Sequence, residues 1–478
     1  MHLKWLAIMP ELFLAGGGLL IFTLGAIRQQ YPSLVLPGLA LIAALGSAAS
    51  AGFTPSAETD FSGLLAFGGY ARFYMVLIAM VAAFSVLFTF RYAGDRGGGR
   101  DEFYAILLFA ALGMVMVASA LHWLFFFLGL ELLSISLYVL IAGLEIEQSE
   151  EAALKYFVMG AVASGFLTFG IALVYAGSGT LDIAESLAVP AAAAGGPVIL
   201  TGLGLILAGV GFKISLVPFH LWTPDVYQGA PAPVAGFLAA GSKIALVAAL
   251  LRFAQAGAGG GGELLVPVLW AAAALTMITG NITALAQTDL KRLLGYSSMA
   301  HMGYLLMAVL AVRQGGAEAV MFYSAVYAAM ELGTFGSIAA LSQKMDADRD
   351  ALADYHGLGR LRPGWAAVLA LCLFSLAGLP PTGGFFGKLV LFEATIRAGF
   401  TGLALIGMAT AIISIFFYLR VVVFLYMEPP PEEAARAAGG RVAGFAGAVL
   451  FLLILWLGII PSWVLELAGR LAPHTIGG

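Results

Sequence analysis

Apolar windows of roughly 18–25 residues, each long enough to cross a hydrocarbon core, recur from one end of this chain to the other. They begin near Pro10, Leu34, Arg72, Phe103, Trp123, Ala152, Val198, Pro231, Leu264, Leu293, Ala319, Pro363, Phe400 and Val442, which predicts about fourteen helices. A segment in hydrocarbon has no water to satisfy its backbone, so it satisfies itself as a helix. The expected fold is therefore an all-α polytopic membrane protein. Charge agrees: only 10% of the 478 residues are Asp, Glu, Lys or Arg, against about 25% in soluble proteins. That leaves little room for a soluble domain. The stretch "WLAIMPELFLAGGGLLIFTLGAI" is too long for a signal-peptide core and reads as the first span.

Composition also excludes several functions. A net charge of −4 without a basic patch speaks against a nucleic-acid partner. The single Cys372 rules out an internal disulfide, a cysteine-ligated iron–sulfur cluster and a Cys-rich zinc site within the chain. His122, His220 and His301 lack the paired in-helix spacing that haem ligation needs. "GAGGGGE" follows no strand and lacks a Lys-Ser/Thr ending, so it is a flexible link and not a phosphate loop.

Basic residues sort by side. Arg28, Arg91, Arg96, Arg100, Lys291, Arg292, Lys344, Arg349, Arg360, Arg362, Arg436 and Arg441 fall in alternate loops. The intervening loops hold few, with Lys4, Arg252, Arg313, Arg397 and Arg470 near helix ends. The positive-inside rule then places both termini outside. A weak repeat links "AALKYFVMGAVASGFLTFGIAL" in the sixth helix to "AVMFYSAVYAAMELGTFGSIAAL" in the eleventh, with "TFG" recurring at Thr168 and Thr334. An offset of an odd number of helices inverts the second copy, and inverted repeats with interrupted helices point to a transport site at the midplane.

Two segments interrupt the apolar pattern. "GVGFKISLVPFHLWTPDVYQGAPAPV" places Lys213 and then Pro218 where a membrane helix belongs. "SLAGLPPTGGFFGKLVLFE" places Pro380 and Pro381 ahead of Lys388. Proline has no amide hydrogen, so each helix opens and frees backbone groups. Such backbone is tolerated only where protein or water satisfies it, so the site beside Lys213 is expected to be hydrated and able to flex. Further ionisable residues lie inside apolar runs: Glu131, Lys155, Lys243, His301 and Glu331. Each costs roughly 2.5–3.5 kcal/mol at mid-helix on insertion scales. Singly, each has a structural explanation. Lys155 can snorkel to the interface, a glutamate can tie two helices through a lysine, and Glu331 and His301 can satisfy local hydrogen bonds. Together, acids and bases on successive helices outnumber what a purely structural bundle needs and suit a proton path. Burial disfavours an ammonium and a nearby carboxylate favours it. Lys213, with Glu131 approaching and retreating, is the expected switch.

"GFKISLVPFHLWTPDVYQGAPAPV", "NITALAQTDLKRLLGYSSMAHMGY" and "SLAGLPPTGGFFGKLVLFEA" resemble the antiporter-like membrane subunits of respiratory complex I and the related cation/proton antiporters. The resemblance runs from about Phe103 to Tyr426. It implies two inverted five-helix repeats with discontinuous seventh and twelfth helices. The implied divisions are 1–102 for three leading helices, 103–257 and 258–427 for the repeats, and 428–478 for a loop and last helix. Within the family, the end at Gly478 separates the chain from the largest paralogue, and Lys388 from a middle-sized one with glutamate there. "GLEIEQSEEAALKYFVMGAVASGFLTFGIALVYAGSGT" is most similar to a third.

The resemblance implies a proton-translocating subunit of an NADH:quinone oxidoreductase, with an Mrp-type cation/proton antiporter subunit as the alternative. A purely structural scaffold is a third, remoter reading. By the resemblance, Glu131 and Lys213 form the input pair, Lys243 and His301 relay along the central axis, and Lys388 exchanges protons with the outer side. Lys155 modulates the pair or meets a neighbouring subunit. Glu331 departs from the family pattern, and its role is open. No cofactor is expected in this chain; NADH, FMN, iron–sulfur clusters and quinone are implied for other subunits. The implied partners are other complex I membrane subunits, antiporter-like paralogues among them, in the lipid bilayer of a bacterial inner (plasma) membrane.

Overall fold

The computed structural model describes residues 7–27, 34–53, 59–95, 102–143, 147–190, 192–257, 261–342, 348–430 and 440–472. Of the basic residues that orient the chain, Lys4, Arg28, Arg96, Arg100, Lys344 and Arg436 lie outside them, as does part of the glycine-rich link. The first helices are α1 (Met9–Ile27), α2 (Val35–Phe53), α3 (Gly69–Asp95), α4 (Glu102–Ser119), α5 (Trp123–Ala142) and α6 (Glu147–Ser178). Next come α7 (Gly196–Lys213), α8 (Trp222–Gly229) and α9, which spans Ala232–Ala256. The remainder are α10 (Val266–Leu285), α11 (Leu290–Val309), α12 (Ala317–Leu341), α13 (Pro363–Ala377), α14 (Gly383–Arg397), α15 (Thr401–Tyr426), α16 (Arg441–Ile459) and α17 (Ser462–Leu471). The exception to a helical fold is a small antiparallel hairpin, β1 (Thr59–Phe61) and β2 (Leu65–Phe67), in the register Thr59↔Phe67.

Among the described residues, 12 helices are long and apolar enough to cross a membrane. The expected number adds two that fall outside that set. One is α11, whose apolar run carries Lys291, Arg292 and His301. The other is the α13–α14 pair, each of 15 residues, where a single crossing takes about 20.

Burial is graded. The apolar stretch of α9 is 100% buried and that of α12 is 94% buried, while α1 is 28% and α6 33% buried. Two helices are thus enclosed on all sides, and α1 and α6 lie at the periphery. Within α9 a π-helical turn, Leu238–Ser242, directly precedes Lys243. The widened turn changes the direction of the side chains that follow it. It is held where Gly241 meets α4: a Cβ there would lie 2.6 Å from the Met114 Sδ.

Two helix pairs are closed in the same way. A β-bridge His122↔Asp182 joins the residue before α5 to the segment after α6. The bridge Asp289↔Ala351 joins the residue before α11 to the segment after α12. In the first, the Trp123 amide donates to the Leu181 carbonyl (2.9 Å); in the second, the Leu290 amide donates to the Asp350 carbonyl (2.7 Å). Each pair is followed by a broken helix: α7 and α8 after the first, α13 and α14 after the second.

The second closure also carries a buried ionic cluster. Lys291 Nζ lies 3.1 Å from both Asp348 Oδ2 and Asp350 Oδ1 and donates to the Ala230 carbonyl at 3.1 Å. Asp348 accepts from the Tyr92 hydroxyl (2.8 Å) and the Ala232 amide (2.9 Å). The loop after α12 is thereby tied to α3, α9 and α11. Burial raises the Asp350 carboxyl from 3.8 to about 6, and the attraction of Lys291 offsets only part of that. The folded protein therefore binds this proton more tightly than the unfolded chain does. The ionised carboxylate is a net cost above pH about 6, and the cost vanishes as pH falls below about 4. Asp350→Asn is expected to raise the thermal midpoint of the solubilised protein assembly near pH 8, with the gain shrinking toward about pH 4. A lower midpoint near pH 8 would mean that the ion pair outweighs desolvation.

Candidate functional site

Lys213 ends α7 and is 4% exposed. Its Nζ donates to Ser134 Oγ (2.7 Å) and to the Tyr138 hydroxyl (3.2 Å), both on α5. It also lies 5.5–5.6 Å from the ring centres of Tyr138, Tyr156 and Phe212, within cation–π range. Glu131 sits nearly one turn before Ser134 on the same helix face. Its carboxylate accepts from Ser164 Oγ of α6. The expected Glu131–Lys213 pair is therefore not in direct contact: Lys213 takes Ser134, and the carboxylate takes Ser164. Gly160 of α6 makes the room for this arrangement. A Cβ there would sit 2.0 Å from the Tyr138 hydroxyl and 3.5 Å from Lys213 Nζ.

The chain then leaves the helix, and side chains take up the freed backbone. Trp222 Nε1 donates to the Phe212 carbonyl (2.7 Å), and the Val217 amide donates to Thr276 Oγ1 (3.0 Å). Ser215 lies in the break with φ +66°. Its hydroxyl accepts from Thr223 (2.5 Å) and from Lys243 Nζ (3.2 Å). So the break that ends at Pro218 connects the two lysines: Lys213 is two residues before Ser215, and Lys243 contacts it.

Lys243, 0% exposed, lies 5.3 Å from the Tyr227 ring centre. The Tyr227 hydroxyl shares a hydrogen bond with Ser298 (3.0 Å), and Ser298 with Tyr327 (2.6 Å). The His301 ring lies 5.5 Å from that of Tyr327. His301 Nδ1 bonds the Tyr323 hydroxyl (2.6 Å) and Nε2 the Tyr418 hydroxyl (3.1 Å); Tyr418 also bonds Ser297. Beyond, the His301 ring is 5.8 Å from Tyr304, and Lys388 Nζ is 5.3 Å from the Tyr304 ring centre. Tyr304 bonds Asn281 (3.1 Å) and Thr410 (3.2 Å).

Lys388 is held by the second break. Where α13 stops before Pro380 and Pro381, the carbonyls of Leu376 and Ala377 have no helical partner. Lys388 Nζ donates to both, at 2.8 and 3.1 Å. A cation at the carbonyl end of a helix is favoured by the helix dipole as well. Gly378, with φ +82°, turns the chain against Lys388 Cδ.

Five of the residues singled out in the sequence thus fall in one buried row: Lys213, Lys243, His301, Glu331 and Lys388 are each at most 4% exposed. Glu131 is half-buried at its α5–α6 end. Lys155 lies apart. Its side chain is 47% exposed and pairs with Glu151 (2.8 Å) and Asp225 (3.6 Å), which in turn pairs with Arg292 (2.5 Å). The hydroxyls that join the row, on Ser134, Tyr138, Ser215, Tyr227, Ser298 and Tyr327, were not singled out in the sequence. Ser134 had a signal, its place three residues after Glu131. The rest are ordinary helix residues until distant segments meet.

Gly160→Ala is expected to displace Tyr138 and loosen Lys213. Overpacking of this kind costs about 1–3 kcal/mol, read as a lower thermal midpoint of the assembly. Adding Tyr138→Phe, which removes the clashing hydroxyl, is expected to recover part of the loss. An unchanged midpoint for Gly160→Ala would show that the site has slack.

The family model described as "NADH:quinone oxidoreductase/Mrp antiporter, TM" matches residues 120–414, which include the whole buried row. The chain is 46% identical over 463 residues to NADH-quinone oxidoreductase subunit N 1 of Solidesulfovibrio magneticus, covering 96% of each chain. It is 43% identical over 463 residues to NADH-quinone oxidoreductase subunit N of Geotalea uraniireducens, covering 96% of this chain and 97% of the other. Among solved structures, a chain of respiratory complex I from Thermus thermophilus with bound aureothin superposes with a TM-score of 0.83 at 35% identity, over 96% of this chain and 99% of that one. By these matches, the chain belongs to the NADH:quinone oxidoreductase/Mrp antiporter family of membrane proteins.

Proposed function

We propose that this chain is a proton-translocating membrane subunit of an NADH:quinone oxidoreductase, driven by quinone reduction elsewhere in the assembly. The observation that carries the reading is the buried row of lysines, histidine and hydroxyls. A Tyr or Ser hydroxyl can accept one hydrogen bond while donating another, and so can pass a proton on without holding charge. The lysines, interspersed with such hydroxyls, are the places where a proton resides. Protons load at Glu131, Ser134 and Lys213, cross at Ser215 to Lys243, pass by way of Tyr227, Ser298 and Tyr327 to His301, and leave from Lys388 on the outer side. The two breaks let Lys213 and Lys388 change partners, because the groups that hold them are loop backbone and hydroxyls.

Relatives that match end to end carry the oxidoreductase name, which favours this reading over a free-standing cation/proton antiporter. Those names also support other membrane subunits of the same enzyme, antiporter-like ones included, as partners. NADH, FMN, iron–sulfur clusters and quinone then belong to those other subunits. The reading places the chain in a bacterial plasma membrane with both termini outside. The matched closures at His122↔Asp182 and Asp289↔Ala351, each followed by a broken helix, support two inverted repeats over 103–257 and 258–427. Residues 1–102 and 428–478 then flank them, and the helices number fourteen. Lys155, in an exposed ion cluster, is placed to meet a neighbouring subunit.

The test is NADH-driven proton uptake by inverted membrane vesicles, with assembly checked on native gels. Lys213→Ala is expected to assemble and to lose pumping and quinone reduction together, by at least about tenfold. Lys213→Arg is expected to fail as well, because a guanidinium does not release its proton. Parental rates in both variants would overturn the reading. Lys388→Ala is expected to damage pumping, and intact pumping would put the outer exit elsewhere.

A further inference from the structure

Glu331 is the one member of the row without a role. It lies on α12, is 0% exposed, and neither carboxylate oxygen has a hydrogen-bond partner among the described residues. Tyr327, one turn earlier, is close by, but its hydroxyl bonds Ser298 and lies outside hydrogen-bond geometry to the carboxylate. The helices packed around Glu331 offer little else. Gly333 and Phe335, two and four residues after it, meet Cys372 of α13 and Tyr227 of α8, neither of which is a cation. An ionised carboxylate so placed costs several kcal/mol unless a counter-charge offsets it.

Lys243 has the complementary problem. It is 0% exposed, touches Ser215 and the Tyr227 ring, and is in no salt bridge among the described residues. The π-helical turn before Lys243 packs directly on α12. Tyr227 lies between the two elements: its ring centre is 5.3 Å from Lys243 Nζ and 5.8 Å from that of Phe335, one turn after Glu331.

We propose that Glu331 and Lys243 form a second carboxylate–lysine couple that holds one exchangeable proton between them. The proposal rests on the proton-translocating reading and gives the middle of the row a working acid. In one form the proton is on Lys243 Nζ, and the pair is ammonium and carboxylate. In the other the proton has moved to a Glu331 oxygen, and the pair is amine and carboxylic acid. The total charge is zero in both, so the exchange carries no net charge into the apolar centre. A proton arriving from Ser215 makes the pair ammonium and carboxylic acid, with one net positive charge. That charge repels the next cation along the row and releases the proton toward His301. The path between the two groups is the run Tyr227, Ser298, Tyr327, whose ends lie beside Lys243 and beside Glu331.

The experiment uses membranes carrying the whole assembly and reads quinone-dependent NADH turnover, the quinone KM, proton uptake and assembly. Glu331→Gln keeps size and hydrogen-bonding capacity and removes the exchangeable proton. It is expected to assemble, to lose turnover and pumping about tenfold, and to leave the quinone KM unchanged. Glu331→Asp, which keeps the proton, is expected to retain more activity than Gln. Parental activity in Glu331→Gln overturns the proposal, as does Asp no better than Gln. If Glu331→Gln does not assemble, Lys243→Met and Glu331→Leu are combined. Assembly restored by removing both charges supports the couple, and assembly still lost overturns it. Lys213→Ala run in parallel separates the two levels. A silent Lys213→Ala sinks the proton-translocating reading, whereas a dead Lys213→Ala with a silent Glu331→Gln sinks only the couple.

Discussion

Backbone groups freed inside a membrane must find partners within the protein, and that requirement shapes everything around the two broken helices. At the second break the partner is a lysine. The Leu376 and Ala377 carbonyls, left over where α13 stops, are bound by Lys388 Nζ. The break and the buried cation thus solve one another's problem: without Lys388 two carbonyls are bare, and without the carbonyls an ammonium is unsolvated. At the first break the division of labour differs. Trp222 and Thr276 cover the backbone, which leaves Ser215 free to contact Lys243 and leaves Lys213 to Ser134 and Tyr138.

That difference bears on how the two lysines behave. Carbonyls accept and never donate, so Lys388 meets acceptors only at its break. Hydroxyls accept or donate, so Ser134 and Tyr138 offer Lys213 either role. Aromatic faces add to the same effect, because they attract the ammonium without supplying a base to which the proton is lost. The two ends of the row are thus built differently, with hydroxyls around Lys213 and carbonyls around Lys388.

Much of this was legible in the sequence. The two breaks stand out as prolines and a lysine in apolar runs, and Lys213, Lys243, His301, Glu331 and Lys388 are expensive enough to be conspicuous. The structure gathers these into one row. Other features were not legible. The two readings of Lys155, at the interface or in the path, stayed open in the sequence; the exposed face of α6 carries it out to Asp225 and Glu151. The tyrosines and serines are the deepest gap. A tyrosine on an apolar helix costs little to bury and so gives no signal. It joins a chain of hydrogen-bonded hydroxyls only when Ser298 from α11 and Tyr227 from α8 arrive at Tyr327 on α12. Gly160 is illegible for a related reason: its meaning is the space taken by Tyr138, a residue of another helix.

The same physics explains why the row occupies α9 and α12 in particular. A helix at the periphery can let a charged side chain snorkel outward, as α6 does with Lys155. A helix enclosed on every side cannot, so a charge placed on it must be answered from within the bundle. α9 and α12 are the most enclosed helices, and each carries one such charge, Lys243 and Glu331. Enclosure also removes the water that would screen them, which lets the charge of one act on the other across a gap that no hydrogen bond closes. The burial that makes these residues costly therefore also strengthens any interaction between them, and the proposed couple depends on that.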